Sequence, residues 1–195
     1  LANFRTQRIE HDQKIADVSR DAGALVPWLR PAELATDTAT SIDVVSHALD
    51  WYEAEKGAVD GVLLLQPTSP FRTRKTIEQG IALFREHGYR PVLAVSQTHA
   101  HPMWMLKKEG DYLLPLLAGD GFKKRSQDLP PVYEANGSFY LISPAEMRDK
   151  RGFVADKTIP LLIESPHEAL DIDTEWDWFV AECSLQYLAK NIASR

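Results

Sequence analysis

The sequence predicts an α/β protein built on a mainly parallel, Rossmann-like sheet flanked by helices. Three observations predict it. GVLLL (61–65) and PVLAVS (91–96) are apolar on both faces, as strands become when helices cover a parallel sheet on each side. Between them runs RKTIEQGIALFREHG (74–88), long and amphipathic enough for a right-handed crossover helix. The same alternation of short apolar runs and helical segments extends from residue 12 to the last helix. At 195 residues the chain fits a single domain, 1–195.

In chain order, DQKIADVSRDAG sets Ile15, Val18 and Ala22 on one helical face and stops at Gly23. ALVPWL is a short strand whose proline places it at an edge or a strand end. TSIDVVSHALDWYEAEKG carries Ile42, Val45, Leu49 and Tyr52 on one stripe, with Thr40 and Asp43 spaced as a capping box. After GVLLL, the 74–88 helix buries Ile77, Ile81 and Phe84 and ends at Gly88, and PVLAVS follows.

Between residues 98 and 135 the rhythm breaks. MWMLKKEGDYLLPLL reads as a hairpin turning at Lys108–Asp111, and GDGFKKRSQDLPP as a loop. An excursion of this size is a lid or an oligomer contact. NGSFYLIS returns as a strand, SPAEMRD starts a helix with Pro144 at its first position, and KTIPLLIE is a further strand. DTEWDWFVAECSLQYLAK closes as a helix, with Trp176, Val180, Cys183 and Tyr187 expected to face the core.

Composition narrows the function. Net charge is −6 with no basic block, so nothing suggests a nucleic-acid surface. No apolar run approaches the roughly 18 residues of a membrane span, and LANFRTQRIE lacks the order of a signal peptide. The lone cysteine, Cys183, excludes an internal disulfide and fits a reducing, cytoplasmic setting; it reads as a small buried apolar residue.

In open parallel sheets, ligands bind beyond the carboxyl ends of the strands. Three polar clusters stand at such ends: QPTSPFRT, NGSFY and LDIDTE. In an extended LDIDTE, Asp171 and Asp173 point to one side, and two carboxylates plus substrate phosphates is how Mg²⁺ is usually held. The alternative is that Asp173 caps the last helix while Asp171 is solvated. Lys123, Lys124 and Arg125 form the densest basic run, and Arg30 and Arg72 lie at other strand ends; each can meet phosphate or carboxylate, or stay a surface charge. His99 and His101 have a metal-like spacing without a third ligand nearby, which favours a loop role. The five tryptophans read as core or interface, and no G-x-x-x-x-G-K-[ST], G-x-S-x-G or C-x-x-C occurs.

Together, RPAELATDTATSIDVV (30–45), LLLQPTSPFRT (63–73), RSQDLPPVYEANGSFYL (125–141) and DIDTEWD (171–177) resemble the CMP-sialic acid synthetases in order and spacing. The resemblance implies that CTP and a nonulosonic acid, an N-acylneuraminate first, give the CMP-sugar and pyrophosphate. Legionaminate, pseudaminate or a deaminated nonulosonate would use the same motifs. It implies that Arg30, Ala39 and Ser41 contact cytosine, that Gln66, Asn136 and Tyr140 hold the sugar acid, and that Phe153 lines an acyl pocket. Asp171 and Asp173 would bind Mg²⁺ or Mn²⁺, and Arg125 would act in catalysis. Residues 98–135 would be the dimerisation element of a homodimer or higher homo-oligomer, lending residues to the neighbouring site.

Two departures stand out. LANFRTQRIEH holds neither the family's first strand nor its glycine-rich basic loop, of the type ARGGSKG, that cradles the triphosphate. Either residues ahead of this stretch supply that loop, which the early start of the helix motif favours, or the chain is a non-catalytic fragment. The second of the paired arginines before QDLP is here Ser126, leaving Arg125 as the candidate.

Overall fold

The computed structural model describes residues 12–36, 38–98 and 100–193. Residues 1–11, where the family's triphosphate loop has no sequence counterpart, and His99 lie outside the described residues. The elements are α1 (Gln13–Asp21), α2 (Ser41–Lys56), β1 (Val62–Leu64), α3 (Arg74–Glu86), β2 (Val92–Gln97), β3 (Leu106–Glu109), β4 (Tyr112–Pro115), β5 (Tyr133–Ile142), α4 (Pro144–Lys150), β6 (Ile159–Leu162) and α5 (Glu175–Ala193). The α/β class is the one the sequence predicts. The residues group into two compact units, one running to Leu64 and including Ile142–Asp156, the other comprising Leu65–Leu141 and the chain from Lys157.

In the first unit, Thr40 and Asp43 close the expected capping box on α2, and Gly57 (φ 89°) follows its last turn. Val45 and Leu49 of α2 bury against Ile142 and Met147, with Ile42, Val59, Val62, Leu64 and Phe153 around them. Arg148 of α4 donates to Asp50 and Glu53 of α2, each at 2.7 Å. Helix α1 buries Ala16 and Ser19, not the expected face: Ile15 is 40% and Val18 69% exposed. Small side chains let a helix approach closely, and Ser19 turns its hydroxyl back to the Ile15 carbonyl at 2.7 Å, so no polar group is left unsatisfied. The expected ALVPWL strand is also absent; only Leu25 and Leu29 form isolated bridges, because Pro27 has no N–H to donate to a ladder.

In the second unit the strands run in the order β5-β2-β6. β2 and β6 are parallel, Val92 to Val95 pairing with Ile159 to Leu162. β5 is antiparallel to β2, a departure from the parallel reading. The cause is the excursion. It leaves and returns at the same end of β2, where Thr98 N donates to Val132 O at 3.1 Å, so the returning strand must run backwards. Leu93 pairs with Tyr140 and Val95 with Ala135, so residues 136–139 bulge opposite Ala94 alone. This bulge is the NGSF of the second polar cluster.

Helix α3 is capped by Thr73 and buries Thr76, Gly80, Ile81 and Phe84. Gly80 sits on the ring of Phe139, which is 1% exposed; a Cβ there would stand 2.3 Å from the ring. Gly80→Ala is therefore expected to destabilise by about 1–3 kcal/mol through overpacking, read as a lowered urea midpoint with an unchanged slope.

Within the excursion, β3 and β4 pair as a hairpin through Gly110 (φ 59°) and Asp111, and every residue of both strands is exposed. The loop beyond packs on the segment ahead of the hairpin: Trp104 Nε1 donates to Gly121 O at 2.8 Å. His101 has the loop role expected of it, its Nδ1 accepting from Met103 N at 3.1 Å.

Helix α5 corrects the sequence reading. Trp176, Cys183 and Tyr187 are exposed, and the inward face runs through Asp177, Val180, Ala181, Ser184 and Leu188. Apolar residues circle this helix, so periodicity does not single out a face, and the expected stripe is rotated by about one residue. Among the described residues, no helix is long and apolar enough to cross a membrane.

Candidate active site

The polar centre of the second unit is assembled from all three motifs that the sequence places at strand ends. From the bulge of β5, Gly137 adopts φ 75°, a conformation costly to any residue with a side chain. Its open face is crowded by oxygens: a Cβ there would lie 2.8 Å from Gln66 Oε1, 2.8 Å from Ser69 Oγ and 2.9 Å from Asp171 Oδ2. The structure thus brings Gln66, Asp171 and the Asn136–Gly137 segment to one point.

Ser69 is wholly buried, and its hydroxyl lies 3.3 Å from Asn136 O and 3.4 Å from Asp171 Oδ1. Asn136, 5% exposed, accepts at Oδ1 from Ser138 N (3.3 Å) and Ser138 Oγ (2.7 Å). Those two bonds fix the amide's orientation and leave buried Nδ2 as a donor without a partner. A buried donor in this condition is costly unless something accepts from it. Tyr140 is half-buried; burial first, then the charge of Asp171, raises its phenol pKa, against a lowering backbone hydrogen bond at Gly137.

Arg72 bridges two of the motifs. Its Nε donates to Ser138 O at 2.9 Å and its Nη2 to Gln66 O. Burial lowers the guanidinium pKa, while the charge of Asp171 opposes that shift. Ile172 N donates to Thr68 O at 2.9 Å, tying the LDID segment to the QPTSP turn. Glu168 accepts from Thr73 N at 3.4 Å and from Thr76 Oγ1, clasping the start of α3.

Other candidates make local contacts of their own. Asp173 is exposed and does not cap α5; Thr174 and Asp177 do, through bonds of 2.9 Å from Thr174 N and 3.2 Å from Asp177 N. The Thr174 hydroxyl, donating to Asp177 Oδ2 at 2.7 Å, leads the backbone N–H groups of Thr174 and Asp173 in holding the Asp177 carboxyl pKa below its usual value, against desolvation. Arg125 is 74% exposed and paired with Asp128 at 3.0 Å, and Lys124 pairs with Asp120 at 3.4 Å. Arg30, Ala39, Ser41 and Phe153 belong to the first unit. There Arg30 Nη1 donates to Leu34 O at 3.5 Å, Ser41 opens α2, and Phe153 packs on the Val45–Met147 core.

Sequence reasoning passed over Ser69, Gly137 and Ser138 as site residues. A serine between two prolines and a glycine inside a strand-like run were the available signals.

Two carboxylates are the hard donors that a magnesium site completes with substrate phosphates. Among the described residues no group of three or more His, Cys, Asp or Glu could by itself hold a metal ion.

This architecture has solved counterparts. The 4-diphosphocytidyl-2C-methyl-D-erythritol synthase of Anaerococcus prevotii superposes with a TM-score of 0.59 over 92% of this chain and 81% of its own, at 14% identity. The two chains share a fold. No protein-family model matches the chain. The CMP-N,N'-diacetyllegionaminic acid synthase of Legionella pneumophila is 37% identical over 172 residues, 87% of this chain and 73% of that protein. An N-acylneuraminate cytidylyltransferase of Streptococcus agalactiae is 30% identical over 152 residues, 77% of this chain but only 35% of that longer protein. The chain belongs to the CMP-sialic acid synthetase family.

Proposed function

We propose that the protein transfers CMP from CTP to the anomeric hydroxyl of a nonulosonic acid and releases pyrophosphate. The hydroxyl oxygen bonds to the α-phosphorus, the bond from that phosphorus to pyrophosphate breaks, and the hydroxyl proton is released to solvent. Charge gathers on phosphate oxygens, so catalysis rests on positioning and electrostatics.

The observation that carries this reading is the unpartnered Asn136 Nδ2, buried beside Gln66 and Asp171. A sugar acid is rich in acceptors, and one of them satisfies that donor. Gln66 and Tyr140 complete the contacts to the acid, with Phe153 toward its acyl group. Arg30, Ala39 and Ser41 hold the cytosine. Asp171 and Asp173 would hold Mg²⁺ or Mn²⁺, whose role when bound is to neutralise charge on the phosphates. The hairpin β3–β4, exposed along its whole length and carrying Leu106, Tyr112, Leu113 and Leu114, is the surface for a second copy in a homodimer, and Arg125 lies in the same excursion.

N,N'-Diacetyllegionaminic acid is the first candidate acid, supported by the higher identity and longer coverage of the Legionella relative. An N-acylneuraminate stands second, since the relatives named for it match at lower identity and over about a third of their length. Pyrophosphate release from CTP and Mg²⁺ with a panel of both acids, pseudaminic acid and a deaminated nonulosonate is the test. Release is expected to be fastest with the legionaminic acid. No release with any acid would sink the enzyme reading and leave a non-catalytic relative.

A further inference from the structure

We propose that Arg72 is a positioning residue for the sugar-acid site, fixing the Gln66 and Asn136 amides from behind through backbone carbonyls. The inference rests on the reading of that site given above. At a strand end, an arginine reads first as an anion ligand. Here two of its donors are already committed, Nε to Ser138 O at 2.9 Å and Nη2 to Gln66 O.

Each carbonyl leads to a side chain that meets the acid. Gln66 carries its own side-chain amide, whose Oε1 closes over Gly137. Ser138 reaches Asn136 through its N–H and hydroxyl, 3.3 and 2.7 Å from Asn136 Oδ1. Those two bonds decide which end of the Asn136 amide is left free. Were Ser138 to turn, Oδ1 would lose both donors and the amide would lose its reason to present Nδ2.

A bulge needs such a brace. Residues 136–139 stand opposite Ala94 alone, so the ladder to β2 does not hold them one for one. One planar guanidinium spans the bulge and the QPTSP turn. Lysine, a single ammonium on a flexible stem, cannot hold two carbonyls in one fixed fork. The positive charge also faces Asp171, whose carboxylate shares this centre.

Arg72→Lys keeps the charge and removes the fork. Its KM for the sugar acid is expected to rise about 10- to 100-fold, the effect typical of losing a group that orients a ligand-binding residue, while KM for CTP stays within about twofold. A merely structural role would lower the active fraction and leave both KM values alone. Equal rises in both, or no rise, overturns the proposal.

A second readout needs no turnover. The chain has only three asparagines, Asn3, Asn136 and Asn191, so selective ¹⁵N-asparagine labelling resolves the Asn136 side-chain amide, assigned by its loss in Asn136→Asp. In Arg72→Lys this pair is expected to shift and exchange faster with solvent; an unmoved pair in folded protein overturns the proposal. If wild-type protein releases no pyrophosphate, the functional reading fails, and this arm still decides the role of Arg72. Should Arg72→Lys fail to fold, Ser138→Ala removes the 2.7 Å donor to Asn136 instead. The same selective rise in acid KM is expected, and its absence counts against the brace.

Discussion

Gly137→Ala is expected to lose about 3 kcal/mol of stability and nearly all pyrophosphate release. Two penalties add. The left-handed backbone, φ 75°, costs a residue with a Cβ roughly 1–2 kcal/mol. The methyl itself must then displace Gln66 Oε1, Ser69 Oγ or Asp171 Oδ2, all within 2.9 Å, and forcing atoms into a packed site costs about 1–3 kcal/mol. Ser69 has nowhere to retreat, being wholly buried. Gly88→Ala separates the two penalties. Gly88 has φ 67° with nothing within 4 Å of its missing Cβ, so it carries the backbone term alone. Urea unfolding of both variants beside wild type measures the difference. A Gly137→Ala protein as stable and active as wild type would show that the bulge does not depend on glycine.

Asp173→Asn is expected to reduce turnover about 100-fold or more and leave thermal stability unchanged. The loss is of the size seen when one preorganised electrostatic contact to developing charge is removed. What makes the test clean is the cap of α5. The sequence left open whether Asp173 caps that helix, and the structure assigns the cap to Thr174 and Asp177. Asp173 is exposed, so its replacement disturbs no buried contact. Asp177→Ala gives the converse: a lowered thermal midpoint from the lost cap, with near-normal turnover. Wild-type turnover in Asp173→Asn would remove that carboxylate from the catalytic machinery.

Much of the fold was legible in the sequence because the signals are local. The capping box of Thr40 and Asp43, the stop at Gly88, the doubly apolar β2 and the hairpin at Gly110 each depend on a few neighbouring residues. The failures share a cause of the opposite kind. Ile15 and Val18 against Ala16 and Ser19, and Trp176 and Tyr187 against Ala181, are choices between helix faces, made by whatever packs there. The ALVPWL run has strand-like composition, yet Pro27 removes the donor that a ladder needs.

The site divides in the same way. Motif order nominates Gln66, Asn136, Tyr140, Asp171 and Asp173 as candidates, and the α/β frame that carries them is legible in the same way. What the motifs could not convey is how three segments far apart in the chain hold one another. Ser69 reaches across 102 positions to Asp171, and Arg72 across 66 to Ser138. Hydrogen bonds of that reach leave no local periodicity, so no window of sequence contains them. The sequence by itself determined which chemical groups the protein can offer a sugar acid. Only the tertiary structure decided that Gly137 lets oxygens of Gln66, Ser69 and Asp171 converge and that Arg72 spans the Ser138 and Gln66 carbonyls. Side-chain identity is local, whereas the orientation of a buried amide is set by whichever distant donor reaches it.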